Sequence, residues 1–278
     1  MTAPTIGSLR VNGATLHYEV RGQGPLLLLI PGGTGGAASF DGVADDLAAE
    51  YTVATYDPRG MSRSTLDDPE AEQRVAEHAD DAFRLLELLS HGEPARVFGA
   101  SSGAIVALHL LTTYPRRLER VVAHEPPAVE VLPDAAEHRA LIARVQETFR
   151  TQGLVPAMAA FAEGLKKAGD TTEPKADIKL PPLAAARAER TMANLPYFVE
   201  RIVPSFMSYA PDIHRLQALS DQLVLACGQD SRGELPYRTA AFLAERLGAE
   251  LQHFPGGHIG LTTHPVQFGE LLRKVFRA

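Results

Sequence analysis

Gly99-Ala100-Ser101-Ser102-Gly103 reads Gly-x-Ser-x-Gly, the pattern of a nucleophile elbow, and its flanks decide the fold. Before it, Arg96-Val97-Phe98 is short, β-prone and apolar at its end; after it, Ala104 to Leu111 (AIVALHLL) is an apolar helix-forming run. A strand, a turn too tight for large neighbours and a helix are the setting the motif requires. Such a turn lifts the Ser101 hydroxyl above the carboxyl edge of a parallel sheet, with a helix amino terminus behind it. The helix dipole and the Ser102 N–H then favour a negative charge developing there.

The rest of the chain repeats this alternation. Ser8 to Val11 and Thr15 to Val20 flank Asn12-Gly13, a two-residue hairpin signal. LLLLI at 26–30 is a continuous apolar run, expected to be a strand buried on both faces. It runs into Pro31-Gly32-Gly33-Thr34-Gly35-Gly36, which lacks the Gly-Lys-Ser/Thr ending of a phosphate loop. A loop whose backbone N–H groups approach a substrate oxygen, with Gly33 giving the freedom to do so, is the better reading. Tyr51 to Tyr56 reads as a strand, Glu70 to Leu89 as a helix with Ala79, Phe83, Leu86 and Leu89 at helical spacing, and Leu118 to Ala123 as a strand stopped by His124-Glu125-Pro126-Pro127. From 128 to 212 the rhythm changes to helical patterns alone, at 135–151, 154–168, 183–194 and 197–209, with a proline-interrupted connection at 169–182. Strand, helix, strand and helix resume at 222–227, 237–247, 250–254 and 266–276. The expected architecture is an α/β fold with a mostly parallel central sheet flanked by helices. Residues 1–127 and 213–278 form its core, and 128–212 is a helical cap over the strand ends, where ligands bind in such sheets.

Composition narrows the function. Across 278 residues, 45% are apolar and the net charge is −7, which argues against nucleic acid and anionic membrane surfaces as partners. A single cysteine, Cys227, permits no intrachain disulfide, and neither a signal peptide nor a membrane-spanning run is visible, so a cytoplasmic location is expected. No clustered ligands have metal-site spacing and no cofactor is expected.

A nucleophilic serine needs a base and a group that orients it. The base is expected after the last strand, where Phe254-Pro255-Gly256-Gly257-His258 supplies His258. His253, within the strand, and His264, opening the last helix, read as structural. Two acids sit at strand ends in the chain order Ser…acid…His: Glu125, and Asp230 after the penultimate strand. The residues themselves leave both open. Met158, Phe161, Met192, Tyr197, Phe198, Phe206, Met207 and Tyr209 supply the cap's large apolar groups, some of which are expected to roof an apolar pocket.

Together the oxyanion loop, elbow, helical insertion and late histidine resemble the α/β-hydrolase superfamily over nearly the whole chain. Pro31-Gly32-Gly33 stands where many members have His-Gly, so an oxyanion-loop histidine is absent. Asp57-Pro58-Arg59-Gly60-Met61-Ser62-Arg63-Ser64, Ser101-Ser102-Gly103-Ala104 and His124-Glu125-Pro126-Pro127 resemble segments of the zearalenone-degrading lactonases more closely. That resemblance implies a Ser101–His258–Glu125 triad, with Gly33 and Ser102 as the oxyanion hole, and favours Glu125 over Asp230. The implied partner is a small-molecule ester or lactone, a zearalenone-type macrolactone among them, cleaved through an acyl-enzyme, and the cap's apolar groups point to a medium-sized apolar substrate; a homodimer is left open. Two alternatives are a C–C bond hydrolase or lyase on the same fold and a ligand-binding protein without turnover. A serine at the elbow speaks against the carboxylate-nucleophile dehalogenases and epoxide hydrolases.

Overall fold

The computed structural model describes residues 3–166 and 182–278. The hairpin at Asn12-Gly13 joins β1 (Thr5–Val11) to β2 (Ala14–Arg21) in antiparallel register. Then come β3 (Leu26–Ile30), α1 (Asp41–Leu47), β4 (Thr52–Tyr56), the short β5 (Thr65–Leu66) and α2 (Val75–Leu89). The elbow segment forms β6 (Ala95–Ala100) and α3 (Ser102–Thr113), followed by β7 (Leu118–His124). Helices α4 (Ala135–Gln152), α5 (Leu154–Leu165), α6 (Pro182–Ala193) and α7 (Leu195–Tyr197) come next; α7 continues through a π-helical stretch, Phe198–Ile202, into α8 (Val203–Met207). After α9 (Ile213–Ala218) the chain returns to β8 (Leu223–Gly228), α10 (Leu235–Leu247), β9 (Leu251–Phe254), α11 (Gly260–Thr263) and α12 (Pro265–Arg277).

Among the described residues the strands form one sheet in the order β1-β2-β4-β3-β6-β7-β8-β9, with β5 beside β2. From β4 to β9 every pairing is parallel. That explains LLLLI: β3 lies between β4 and β6, and all five side chains are buried. Alternate side chains feed two cores. Leu28, Val97, Val121 and Leu225 pack with α2, α3 and α10, while Leu27, Leu29, Phe98, Val122 and Ala226 pack with α1 and α12. Helix α3 is buried almost all round, as its uniform apolarity requires.

One helix starts later than in the sequence reading. Helix α2 starts at Val75 rather than Glu70, because Arg74 is extended (φ −130°, ψ 138°) and the preceding residues are held by the inserted helices. Ser205 donates to the Gln73 carbonyl at 2.5 Å and Arg201 pairs with Glu70 at 2.6 Å. Between β7 and β8 the described residues hold helices and turns without a strand. The proline-interrupted connection at 169–182 lies, except for Pro182, outside the described residues.

Candidate active site

The elbow brings β6 into α3 through one strained residue. Ser101 has φ +53° and ψ −121°, a conformation non-glycine residues avoid. It is held by its N–H donating to the His124 carbonyl of β7 at 2.8 Å and by its carbonyl accepting from Ala104 at 2.9 Å. The motif's glycines are steric requirements: a Cβ at Gly99 would lie 2.3 Å from the Gly103 carbonyl oxygen, and one at Gly103 would lie 2.4 Å from the Ile30 carbonyl oxygen. Two of the four non-glycine residues with positive φ among those described, Ser101 and Glu125, belong to this site. Strain of this kind concentrates where surrounding structure over-determines a functional geometry.

Ser101, His258 and Glu125 meet at the carboxyl ends of β6, β9 and β7. His258 Nε2 lies 3.2 Å from Ser101 Oγ, and its Nδ1 lies 2.5 Å from Glu125 Oε2. Glu125 is fully buried. Its second oxygen accepts the Gly228 N–H at 2.9 Å and the Ser231 hydroxyl. Burial opposes charge on Glu125, but the bond from His258, the neighbouring His124 and His258 rings and the Ser231 hydroxyl outweigh it, holding the carboxyl below its usual range. Asp230 is exposed, its N–H donating to the Gly256 carbonyl at 3.0 Å, and His258 Nδ1 is already engaged by Glu125. Nothing in the sequence pattern singled out Ser231; it stands next to Asp230, and the loop that carries Asp230 outward turns Ser231 inward instead.

Gly33 has φ +57° and open space where a Cβ would stand. Its N–H donates to Ser102 Oγ at 2.9 Å, while the carbonyl of the same peptide, on Gly32, accepts from Gly35 at 2.9 Å. Ser102 opens α3, where backbone N–H groups have no partner within the helix. The other expected placements are simple: His253 is exposed, its ring near the Leu251 carbonyl at 3.1 Å, and His264 Nδ1 lies 2.8 Å from the Thr263 hydroxyl.

A cavity of ≈ 200 Å³ opens on Ser101 and His258. Met158, Phe161, Phe198, Phe206 and Met207 line it, joined by Leu165, Leu195, Ile202, Val203 and two prolines; among the described residues no Asp, Glu, Lys or Arg takes part. Of the other large apolar residues in the inserted segment, Met192 is exposed, Tyr197 donates to the Arg59 carbonyl at 3.3 Å, and Tyr209 meets His109 Nδ1 at 3.0 Å. A second, more polar cavity of ≈ 260 Å³ reaches the same Ser101 and His258 between Ser39, Ile259 and Thr262. Among the described residues no group of three or more His, Cys, Asp or Glu is placed to hold a metal ion, and no helix is long and apolar enough to cross a membrane.

Comparison with known proteins identifies the family of the chain. The uncharacterized hydrolase YraK of Bacillus subtilis (strain 168) is 37% identical over 273 residues, covering 96% of this chain and 94% of that one. A zearalenone hydrolase of Bionectria ochroleuca is 36% identical over 122 residues, 42% of this chain and 45% of its own. The crystal structure of the enol-lactonase from Burkholderia xenovorans LB400 superposes with a TM-score of 0.73 at 18% identity, covering 98% of this chain and all of that one. The family model described as the alpha/beta hydrolase fold matches residues 25–265, and the chain belongs to that family.

Proposed function

We propose that this chain is a serine hydrolase that cleaves a carboxylic ester or lactone of an apolar, uncharged substrate through an acyl-enzyme. The observation that carries the reading is the continuous relay from Glu125 Oε2 through His258 to Ser101 Oγ, at 2.5 and 3.2 Å, facing a cavity that no Asp, Glu, Lys or Arg among the described residues lines. Ser101 Oγ attacks the carbonyl carbon as His258 Nε2 takes its proton. Glu125 holds the imidazole in the tautomer with a proton on Nδ1 and stabilises the imidazolium. The carbonyl oxygen becomes an oxyanion beside the N–H groups of Gly33 and Ser102, each donor contributing on the order of 3 kcal/mol. Gly33 exchanges its resting partner, the Ser102 hydroxyl, for that oxygen. Collapse breaks the bond to the alkoxy group, which leaves with the proton from His258. Water, activated by the same base, then adds to the acyl carbon and releases the acid and Ser101.

Residues 128–212 act as a cap in this reading, because the cavity's large apolar groups come from α5 and from the Leu195–Met207 stretch. The likeness to zearalenone hydrolase spans less than half of either chain, so a macrolactone is the finer part of the proposal. Incubation with zearalenone and, separately, with a short p-nitrophenyl ester, using Ser101→Ala as control, tests both parts. Ring opening lost in the variant supports a macrolactone substrate, and ester cleavage alone supports a serine esterase. Turnover undiminished by Ser101→Ala defeats the mechanism.

A further inference from the structure

Asn194 joins the inserted helices to the loop that carries Gly33. It follows α6, is 5% exposed, and makes three hydrogen bonds across the fold. Its Oδ1 accepts the Ser62 N–H at 2.9 Å, and its Nδ2 donates to the Thr34 carbonyl and to Ser62 Oγ, both at 2.9 Å. Ser62 is itself held at φ +53°. Thr34 belongs to the tight turn closed by Gly35 N–H to the Gly32 carbonyl, so gripping the Thr34 carbonyl from above fixes the turn that aims the Gly33 N–H. The neighbouring Leu195 and Phe198 line the cavity. One short segment therefore touches both the substrate space and the oxyanion loop.

We propose that Asn194 is a positioning residue: its amide sets the Gly33 loop in register with Ser101 when the inserted helices are seated. The inference rests on the serine-hydrolase reading above. A buried amide bonded on both its oxygen and its nitrogen is a directional clamp, and a displacement of about 1 Å at such a site costs about a hundredfold in rate. Tyr197, whose hydroxyl donates to the Arg59 carbonyl at 3.3 Å, ties the same segment down without touching the Gly33 loop and serves as the comparison.

The test is the second-order rate at which a fluorophosphonate probe labels Ser101, a reaction that needs no knowledge of the natural substrate. Asn194→Asp keeps an acceptor for the Ser62 N–H and loses the donor to Thr34. Asn194→Ala loses both and leaves the Ser62 N–H without this acceptor. Both variants are expected to label at least about tenfold more slowly than the parent, with Asn194→Asp still folded by thermal unfolding. On a p-nitrophenyl ester kcat should fall while KM stays within about threefold, since the oxyanion donor acts in the transition state. Tyr197→Phe should label within about threefold of the parent. Parent-like labelling by a folded Asn194→Asp, or equal slowing by Tyr197→Phe, overturns the proposal. Labelling that persists in Ser101→Ala overturns the serine-hydrolase reading instead.

Discussion

At Glu125 the environment does two things at once. The left-handed φ of +50° turns the side chain back under β8, where the Gly228 N–H and the Ser231 hydroxyl saturate one oxygen and leave the other to His258. A carboxylate so bonded stays ionised, which is what an imidazole acquiring a proton requires. Glu125→Gln keeps the volume but presents neutral amide atoms, and kcat on a p-nitrophenyl ester is expected to fall on the order of 10⁴-fold. Asp230→Asn, on the exposed side of the loop that carries Ser231, should stay within about threefold of the parent, as surface changes away from special features do. Parallel steady-state kinetics decide between them, and a larger loss at Asp230 would move the acid there.

At the scale of elements, the elbow is a packing problem. Gly103 lies so close to the end of β3 that an added Cβ would sit 2.4 and 2.5 Å from the Ile30 and Pro31 carbonyl oxygens. Gly103→Ala must therefore separate α3 from the strand leading into the Gly33 loop. Overpacking of this kind costs about 1–3 kcal/mol, and urea unfolding with fluorophosphonate labelling should show both a lower midpoint and slowed modification of Ser101. The strands and helices around this turn were legible in the sequence because their patterns are local: LLLLI can only be buried, Asn-Gly can only turn, and Pro126-Pro127 ends β7. The start of α2 was not, since Gln73 and Glu70 are drawn out of the helix by Ser205 and Arg201, more than 100 positions away. For the same reason the site was half legible. Ser101 and His258 stand in local patterns and Glu125 was favoured over Asp230 only by the resemblance, whereas Ser231 and Asn194 matter only through contacts made across 106 and 132 positions.

Across the whole molecule, stability is tied to pH through histidines buried beside the site. His124 ends β7, its backbone carbonyl holding Ser101 and its ring enclosed by Phe98, Phe254 and Phe268. Its Nε2 has no hydrogen-bond partner, and burial pushes its pKa down to about 4. The ring is thus neutral in the folded chain at pH values where the unfolded chain, with an ordinary histidine pKa of about 6.5, binds a proton. Between those values the unfolded state holds more protons, so stability is full above about pH 6.5 and falls as the pH drops toward 4. At pH 5 this one residue accounts for a loss of about 2 kcal/mol relative to neutral pH. His124→Phe places another aromatic ring in the aromatic cluster, leaves the carbonyl that holds Ser101 in place, and removes the titrating group. Urea unfolding at pH 7 and pH 5 should therefore show a smaller drop for the variant, by about that amount. Identical drops in the two proteins would mean that the acid sensitivity of the fold lies elsewhere, with the buried His78, pushed down to about 3 by burial and by the nearby Arg59, next to be replaced.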